Sequence, residues 1–153
     1  DIFPSFWRSI DALIAADKFQ SVDEVKKELD GKYDNSNFNH DPKYYRQDIQ
    51  FRDWYQDRRQ IFSPLDNQES QVLPQVLGHY SSDIIADKFY NSSANFADPY
   101  LIAKAKAKNG VVVTEERSRA KDSNDGKIPT ICRLCSVKCI NAEDFMHTQK
   151  WNF

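Results

Sequence analysis

The run Val111-Val112-Val113-Thr114 constrains this chain more than any other stretch. Four β-branched residues in succession disfavour helix, because each loses side-chain freedom against the preceding turn. An apolar run without alternation reads as a strand covered on both faces, and such strands belong to parallel sheets packed between helices. The flanks agree. Upstream, Asp98-Pro99 reads as a helix start, with the aspartate as N-cap and the proline at the first helical position. Gly110 is placed to stop that helix just before the strand. Helix and strand in alternation predict an α/β layer structure with a mainly parallel sheet.

The remaining elements fit around this unit. Pro4–Ala16 reads as a helix with Phe6, Ile10, Leu13 and Ile14 on one face. Ser21-Val22-Asp23-Glu24 has the form of a capping box. The helix it opens should bury Val22, Val25 and Leu29 and end at Gly31. Residues 32–41 are polar and turn-rich. Asp41-Pro42 then opens a helix to about Gln60. Ile61-Phe62-Ser63-Pro64 is a short extended piece. Helical stretches follow near Gln68–Tyr80, disturbed by Pro74, and near Asp83–Tyr90. Past a small-residue connection at 91–97 and a charged loop at 115–127, Ile128–Phe153 reads as helix, strand (Val137–Ile140) and helix, with Asn141 as cap. A length of 153 residues suits one domain. The sheet is short of members, which a strand upstream of Asp1 would supply.

Composition excludes several classes. No apolar run approaches the roughly 20 residues a bilayer span needs, so no membrane association is expected. Asp1-Ile2-Phe3-Pro4 lacks the basic and apolar regions of a signal peptide. A net charge of −2 gives no bulk argument for nucleic acid. The charge is uneven, however: residues 104–133 carry eight basic and four acidic side chains. That segment and the cationic 42–59 stretch would make a basic rim around an acidic site, or simply solvated faces. Cys132, Cys135 and Cys139 fall short of the four ligands that a zinc or iron–sulfur site normally takes. They read as small buried side chains, with a metal or redox cluster as the alternative. His40, His79 and His147 have no nucleophile or ligand partner in sequence.

Ligands of open α/β sheets bind beyond the carboxyl ends of the strands. Glu28, Asp98 and the pair Glu115-Glu116 fall near such places. Gathered carboxylates repel one another unless a cation neutralises them, and hard oxygen ligands suit Mg²⁺ or Mn²⁺. Such a site activates water for in-line displacement at phosphorus. Each acid also has a plainer reading: Asp98 as a cap, Glu28 as a solvent-facing helix residue, Glu115-Glu116 as a polar loop start.

The ordered segments Asp1-Ile2-Phe3-Pro4-Ser5-Phe6-Trp7, Ser21-Val22-Asp23-Glu24-Val25-Lys26-Lys27-Glu28-Leu29, Ala97-Asp98-Pro99-Tyr100-Leu101-Ile102-Ala103, Val112-Val113-Thr114-Glu115-Glu116, Lys127-Ile128-Pro129-Thr130-Ile131-Cys132 and Val137-Lys138-Cys139-Ile140-Asn141 together resemble a prokaryotic family of PIN-like proteins, related to the PIN-domain ribonuclease toxins of toxin–antitoxin modules. The resemblance spans nearly the whole chain. It implies a single PIN-like domain over 1–153, a three-layer fold with a central, mainly parallel sheet, its first strand missing from this sequence. It further implies a cytoplasmic endonuclease that cleaves single-stranded RNA with Mg²⁺ or Mn²⁺. By the same resemblance, Glu28, Asp98 and Glu116 are the metal ligands, Glu115 is the substitute for Glu116, and Thr114 is the hydroxyl beside them. The family's remaining principal aspartate ends its first strand, and Asp1 does not replace it. The implied partners are RNA and an antitoxin combining a helix-turn-helix with a metallopeptidase-like domain, and a homodimer stays open. The alternative is a PIN-like interaction module that binds a partner protein or RNA without cutting it.

Overall fold

A computed structural model describes residues 4–33, 42–86, 96–118 and 125–151, with side chains from residue 49 onward in the helix that starts at Pro42. The expected readings of Asp1, His40, the 34–41 turn and residues 87–95 lie outside the described residues, as do the side chains of Tyr44 and Tyr45. The architecture is mixed α/β. Helix α1 spans Pro4–Ala15, β1 Ser21–Val22, α2 Asp23–Lys32 and α3 Pro42–Asp57. A short 3₁₀ turn at Arg59–Ile61 leads into β2, Phe62–Ser63. Then come α4 (Asn67–Leu77), α5 (Ser82–Ala86), α6 (Asp98–Ala107), β3 (Val111–Val113), α7 (Ile128–Leu134), β4 (Lys138–Ile140) and α8 (Ala142–Thr148). The strands form two parallel pairs, β1 with β2 and β3 with β4. In the second pair Val111, Val112 and Val113 stand opposite Lys138, Cys139 and Ile140. One further rung continues it, where the Thr114 amide donates to the Ile140 carbonyl at 3.0 Å.

Helix α6 organises the molecule. It packs on α4 and α7 and touches both β1 and β3, so each sheet has one member beneath it. The main core lies between these elements, with Val76, Ile102, Ile131 and Cys132 fully buried. Burying each isoleucine contributes about 1.5–3 kcal/mol. A second cluster joins Tyr55, Ile61 and Phe62 to Phe51 and Trp54 from α3. Tyr55 is buried there, with Phe51 and Trp54 partly buried against it.

Other corrections are local. Ser21 does not cap α2: it lies in β1, the helix begins after Val22, and the Glu24–Ser21 capping box is absent. Pairing with β2 draws Ser21 into the ladder, and ladder bonds outrank a single cap. The capping box forms instead at α4, where Asp66 Oδ1 accepts from the Glu69 amide at 2.9 Å and Glu69 Oε2 from the Asp66 amide at 2.8 Å. Helix α2 runs through Gly31 to Lys32. Asp98 is the first residue of α6 rather than its cap, and Pro99 follows it inside the first turn. That helix ends through Asn109, whose φ is 52°, a left-handed conformation asparagine tolerates. Strand β3 is covered on one side only: Val112 is buried, but Val111 is 45% and Val113 37% exposed. The lysines of α6 are internal ties as well as favourable dipole charges. Lys104 is buried against Glu69, Lys106 Nζ donates to the Cys135 carbonyl at 2.7 Å, and Lys108 meets Asp66 at 2.7 Å. Lys104 and Lys106 are therefore not open phosphate contacts, whereas Lys108 is about half exposed.

These ties carry a pH dependence. The Glu69 amide and then the Lys108 ammonium hold the Asp66 carboxyl below its ordinary value of 3.8. Arg58 does the same to Asp11 through a two-pronged ion pair. A depressed carboxyl means that the unfolded chain binds protons first. This stabilisation is therefore complete above about pH 4 to 5 and is lost as pH falls through the lowered folded-state values. Urea melts between pH 7 and pH 2 should show that loss, and Asp66→Asn should flatten part of the slope. An unchanged slope would exclude Asp66 as a contributor.

Candidate functional site

Three of the five expected site residues meet where β3 ends. Thr114, Glu115 and Glu116 line a cleft of about 230 Å³, completed by Arg117, Pro129, Cys139, Ile140, Asn141 and Asp144. Parallel pairing of β3 with β4 brings this about, because both strands deliver their following residues to the same edge. The Thr114 Oγ1 accepts from the Glu116 amide at 3.1 Å, which folds the two residues into a tight turn.

Both glutamates are already engaged. Glu116 Oε2 accepts from the Ile128 amide at 2.9 Å, and Oε1 from Lys127 Nζ at 3.1 Å. Glu115 Oε1 accepts from the Ala142 amide at 2.9 Å. Each carboxylate thus sits on the N-terminal end of a helix, α7 or α8, where unpaired amides and the helix dipole favour negative charge. Asn141 supplies the expected second cap on α8, its Oδ1 accepting from the Asp144 amide at 2.7 Å. Glu116→Ala should lower stability by about 1 kcal/mol, the usual cost of a lost helix cap. Chemical denaturation is the check, and no loss would mean that water replaces the carboxylate. The turn into α7 is fixed by Gly126, whose φ of 67° suits glycine and whose added Cβ would lie 2.6 Å from Ile84 Cδ1.

Glu28 and Asp98 lie elsewhere on the chain but next to each other in space. Glu28 Oε1 accepts from the Ala97 amide at 3.0 Å, which ties α2 to the entry of α6 directly before Asp98. Asp98 is half-buried in the first turn of α6. Burial pushes the Tyr80 phenol far up from 10.0, and Asp98, then Cys132 and Cys135 and last Glu116 push it further in the same direction. The phenol therefore stays protonated at any physiological pH. Tyr80 is 5% exposed, its ring stands edge-on to Phe96 at 5.0 Å, and its hydroxyl has no hydrogen-bond partner among the described residues. Nothing in the sequence singled out Tyr80. Its one signal is position, at the end of the turn after α4.

Among the described residues, no three His, Cys, Asp or Glu side chains stand as a preformed ligand group. The oxygens of Thr114, Glu115 and Glu116 at this edge already accept hydrogen bonds within the fold. The cysteines behave as packing. Cys132 and Cys135 are buried in the main core, and Cys139 lies between that core and the cleft. A larger cleft of about 510 Å³ opens between α2 and α3, near Lys26, Asp30, Tyr33, Arg52, Tyr55 and Arg59. Its cations are tied to Asp30, Asp53 and Gln56, and it holds none of the expected acids. Size does not make a site, so the smaller cleft and the Asp98 neighbourhood remain the candidates.

A family model described as Domain of unknown function (DUF4411) matches residues 1–153. No curated protein and no solved structure matches the chain.

Proposed function

The chain belongs to the DUF4411 family, and from the acids gathered around α6 and β3 we propose that it is a metal-dependent endoribonuclease of PIN-like fold. The observation that carries this reading is the Thr114-Glu115-Glu116 run lining a cleft at the carboxyl ends of β3 and β4, with Glu28 anchored to the amide directly before Asp98. Glu28, Asp98 and Glu116 would hold Mg²⁺ or Mn²⁺, with Glu115 in reserve. Bound there, the ion would activate water and stabilise charge developing at an RNA phosphate. Thr114 fixes the turn that presents Glu116, and exposed Arg117 at the cleft offers a phosphate contact.

The finer fold follows the same reading. A PIN-like sheet would join the two strand pairs through one more parallel strand between β1 and β3, both of which lie under α6. An aspartate at the end of such a strand would complete the acid set. By its resemblance to toxin families, the protein would act in the cytoplasm on single-stranded RNA. It would be restrained there by an antitoxin with helix-turn-helix and metallopeptidase-like parts, as a monomer or homodimer.

A second reading has its own observation. Glu28, Glu115 and Glu116 all accept from backbone amides, which is what a non-catalytic PIN-like interaction module would retain. The two are separated by RNA cleavage with Mn²⁺ or Mg²⁺ in wild type, Glu28→Gln and Asp98→Asn. Cleavage that needs the metal and both acids supports the nuclease. Equal RNA decay in all three proteins would rule it out.

A further inference from the structure

The cleft of about 510 Å³ between α2 and α3 holds none of the acids discussed above, but it has a chemistry of its own. Its lining carries three cations, Lys26, Arg52 and Arg59, against one carboxylate, Asp30, an excess of two positive charges. Asp30 accepts from Lys26, from the Tyr55 hydroxyl at 3.3 Å and from Gln56 Nε2 at 3.0 Å. Held in that way, Gln56 turns its carbonyl oxygen to Arg59 and accepts from Nε at 2.9 Å and from Nη2. The chain of contacts starts at Tyr55, which is 1% exposed, so buried structure fixes where the exposed guanidinium stands. Gln56 is neutral, and Arg59 has no carboxylate partner among the described residues. Arg52 meets its exposed chain neighbour Asp53 at 3.2 Å, a pair of small energetic weight.

Gly31 is an independent observation. It lies in the last turn of α2 and lines the same cleft. Glycine is a poor helix former, and no left-handed φ requires it here. A Cβ added at Gly31 would meet nothing within 4 Å, so packing does not require glycine either. What the missing side chain leaves is open space beside the cations and a backbone that a ligand can approach closely.

We propose that this cleft binds a small phosphorylated ligand, its phosphate held by Arg59, Arg52 and Lys26 beside Gly31. A phosphate monoester carries a charge of about −1.5 to −2 at neutral pH, which balances the excess, whereas a carboxylate would balance half of it. Guanidinium forks match phosphate oxygens in two-pronged contacts. The volume lies within the roughly 300–1,000 Å³ of small-ligand pockets. The inference does not depend on the nuclease reading and invokes no metal.

Pyrophosphate is the probe, titrated calorimetrically without divalent metal into wild type, Arg59→Gln, Gly31→Leu and Arg117→Gln, with a thermal melt of each protein. Wild type should bind it. Arg59→Gln should weaken binding about 10-fold or more, the scale of a lost charge-assisted hydrogen bond. Gly31→Leu should do the same while melting no lower than wild type, since leucine favours helix over glycine and its Cβ meets no atom. Should Gly31→Leu melt lower, Arg59→Gln decides alone, because Arg59 is exposed. No binding in wild type at millimolar pyrophosphate, or binding within about 2-fold of wild type in folded Arg59→Gln or Gly31→Leu, would overturn the proposal. Binding lost in Arg117→Gln and kept in Arg59→Gln would assign the anion to the cleft at the end of β3 and overturn it as well. A single-stranded RNA without terminal phosphates that binds more tightly than pyrophosphate, and depends on Arg59 in the same way, would overturn the small-ligand assignment in favour of a nucleic-acid backbone.

Discussion

Asp98→Asn is expected to lower metal-dependent RNA cleavage by about 100-fold or more while the protein stays folded. The substitution is nearly isosteric. It leaves the first turn of α6 and the Pro99 packing in place. The interaction of its charge with the helix N-terminus accounts for about 0.3–1 kcal/mol of the folded state's stability. On the proposed reading a divalent ion, in contrast, would lose a charged oxygen ligand. The effect should therefore appear in catalysis and metal affinity, and scarcely in the melting temperature. Quantified cleavage of a single-stranded RNA, run beside a melt of each protein, separates the two. A variant as active as wild type at saturating Mn²⁺ would mean that Asp98 serves only to start a helix.

The largest stability effect is expected at Glu69. Its side chain is 2% exposed, that of Lys104 is 9% exposed, and their charged groups lie 3.4 Å apart. Lys104 also donates to Ser63 Oγ at 2.9 Å, so α4, α6 and the end of β2 meet at one buried ammonium. Glu69→Leu would leave that ammonium without its counter-charge and take the reciprocal cap from Asp66. Breaking one side of a buried pair costs about 3–5 kcal/mol, because the remaining charge stays desolvated. For a chain of this size that is a fall of roughly 6–20 °C in melting temperature. The double variant Glu69→Leu/Lys104→Met should recover much of the loss, since two apolar side chains of similar volume carry no desolvated charge. Equal destabilisation in the single and double variants would show that α4 capping, and not charge burial, sets the cost.

Much of the local structure was legible in the sequence. The valine run is a strand, Asn141 caps the last helix, and Pro42 opens a helix. Each depends on a side chain's effect on its own backbone, a range of a few residues. The candidate site was half legible. Glu115 and Glu116 could be placed because they follow a recognisable strand directly, and they do line a cleft at its end. The error at Ser21 has the opposite origin: a strong local capping signal gave way to pairing with Phe62, 41 positions away.

What the amino-acid order determined by itself is the series of helices and short strands, and with it the mixed α/β class. What only the tertiary structure decided is which charges are interior. Lys104 and Lys108 lie on the same helix and look alike in sequence, yet one is buried beside Glu69 and the other is about half exposed. The counter-charge beside buried Lys104 lies 35 positions away, and no periodicity within a helix encodes it. Caps and propensities act through adjacent backbone, whereas the cost or gain of burying a charge depends on whatever the whole fold brings alongside it.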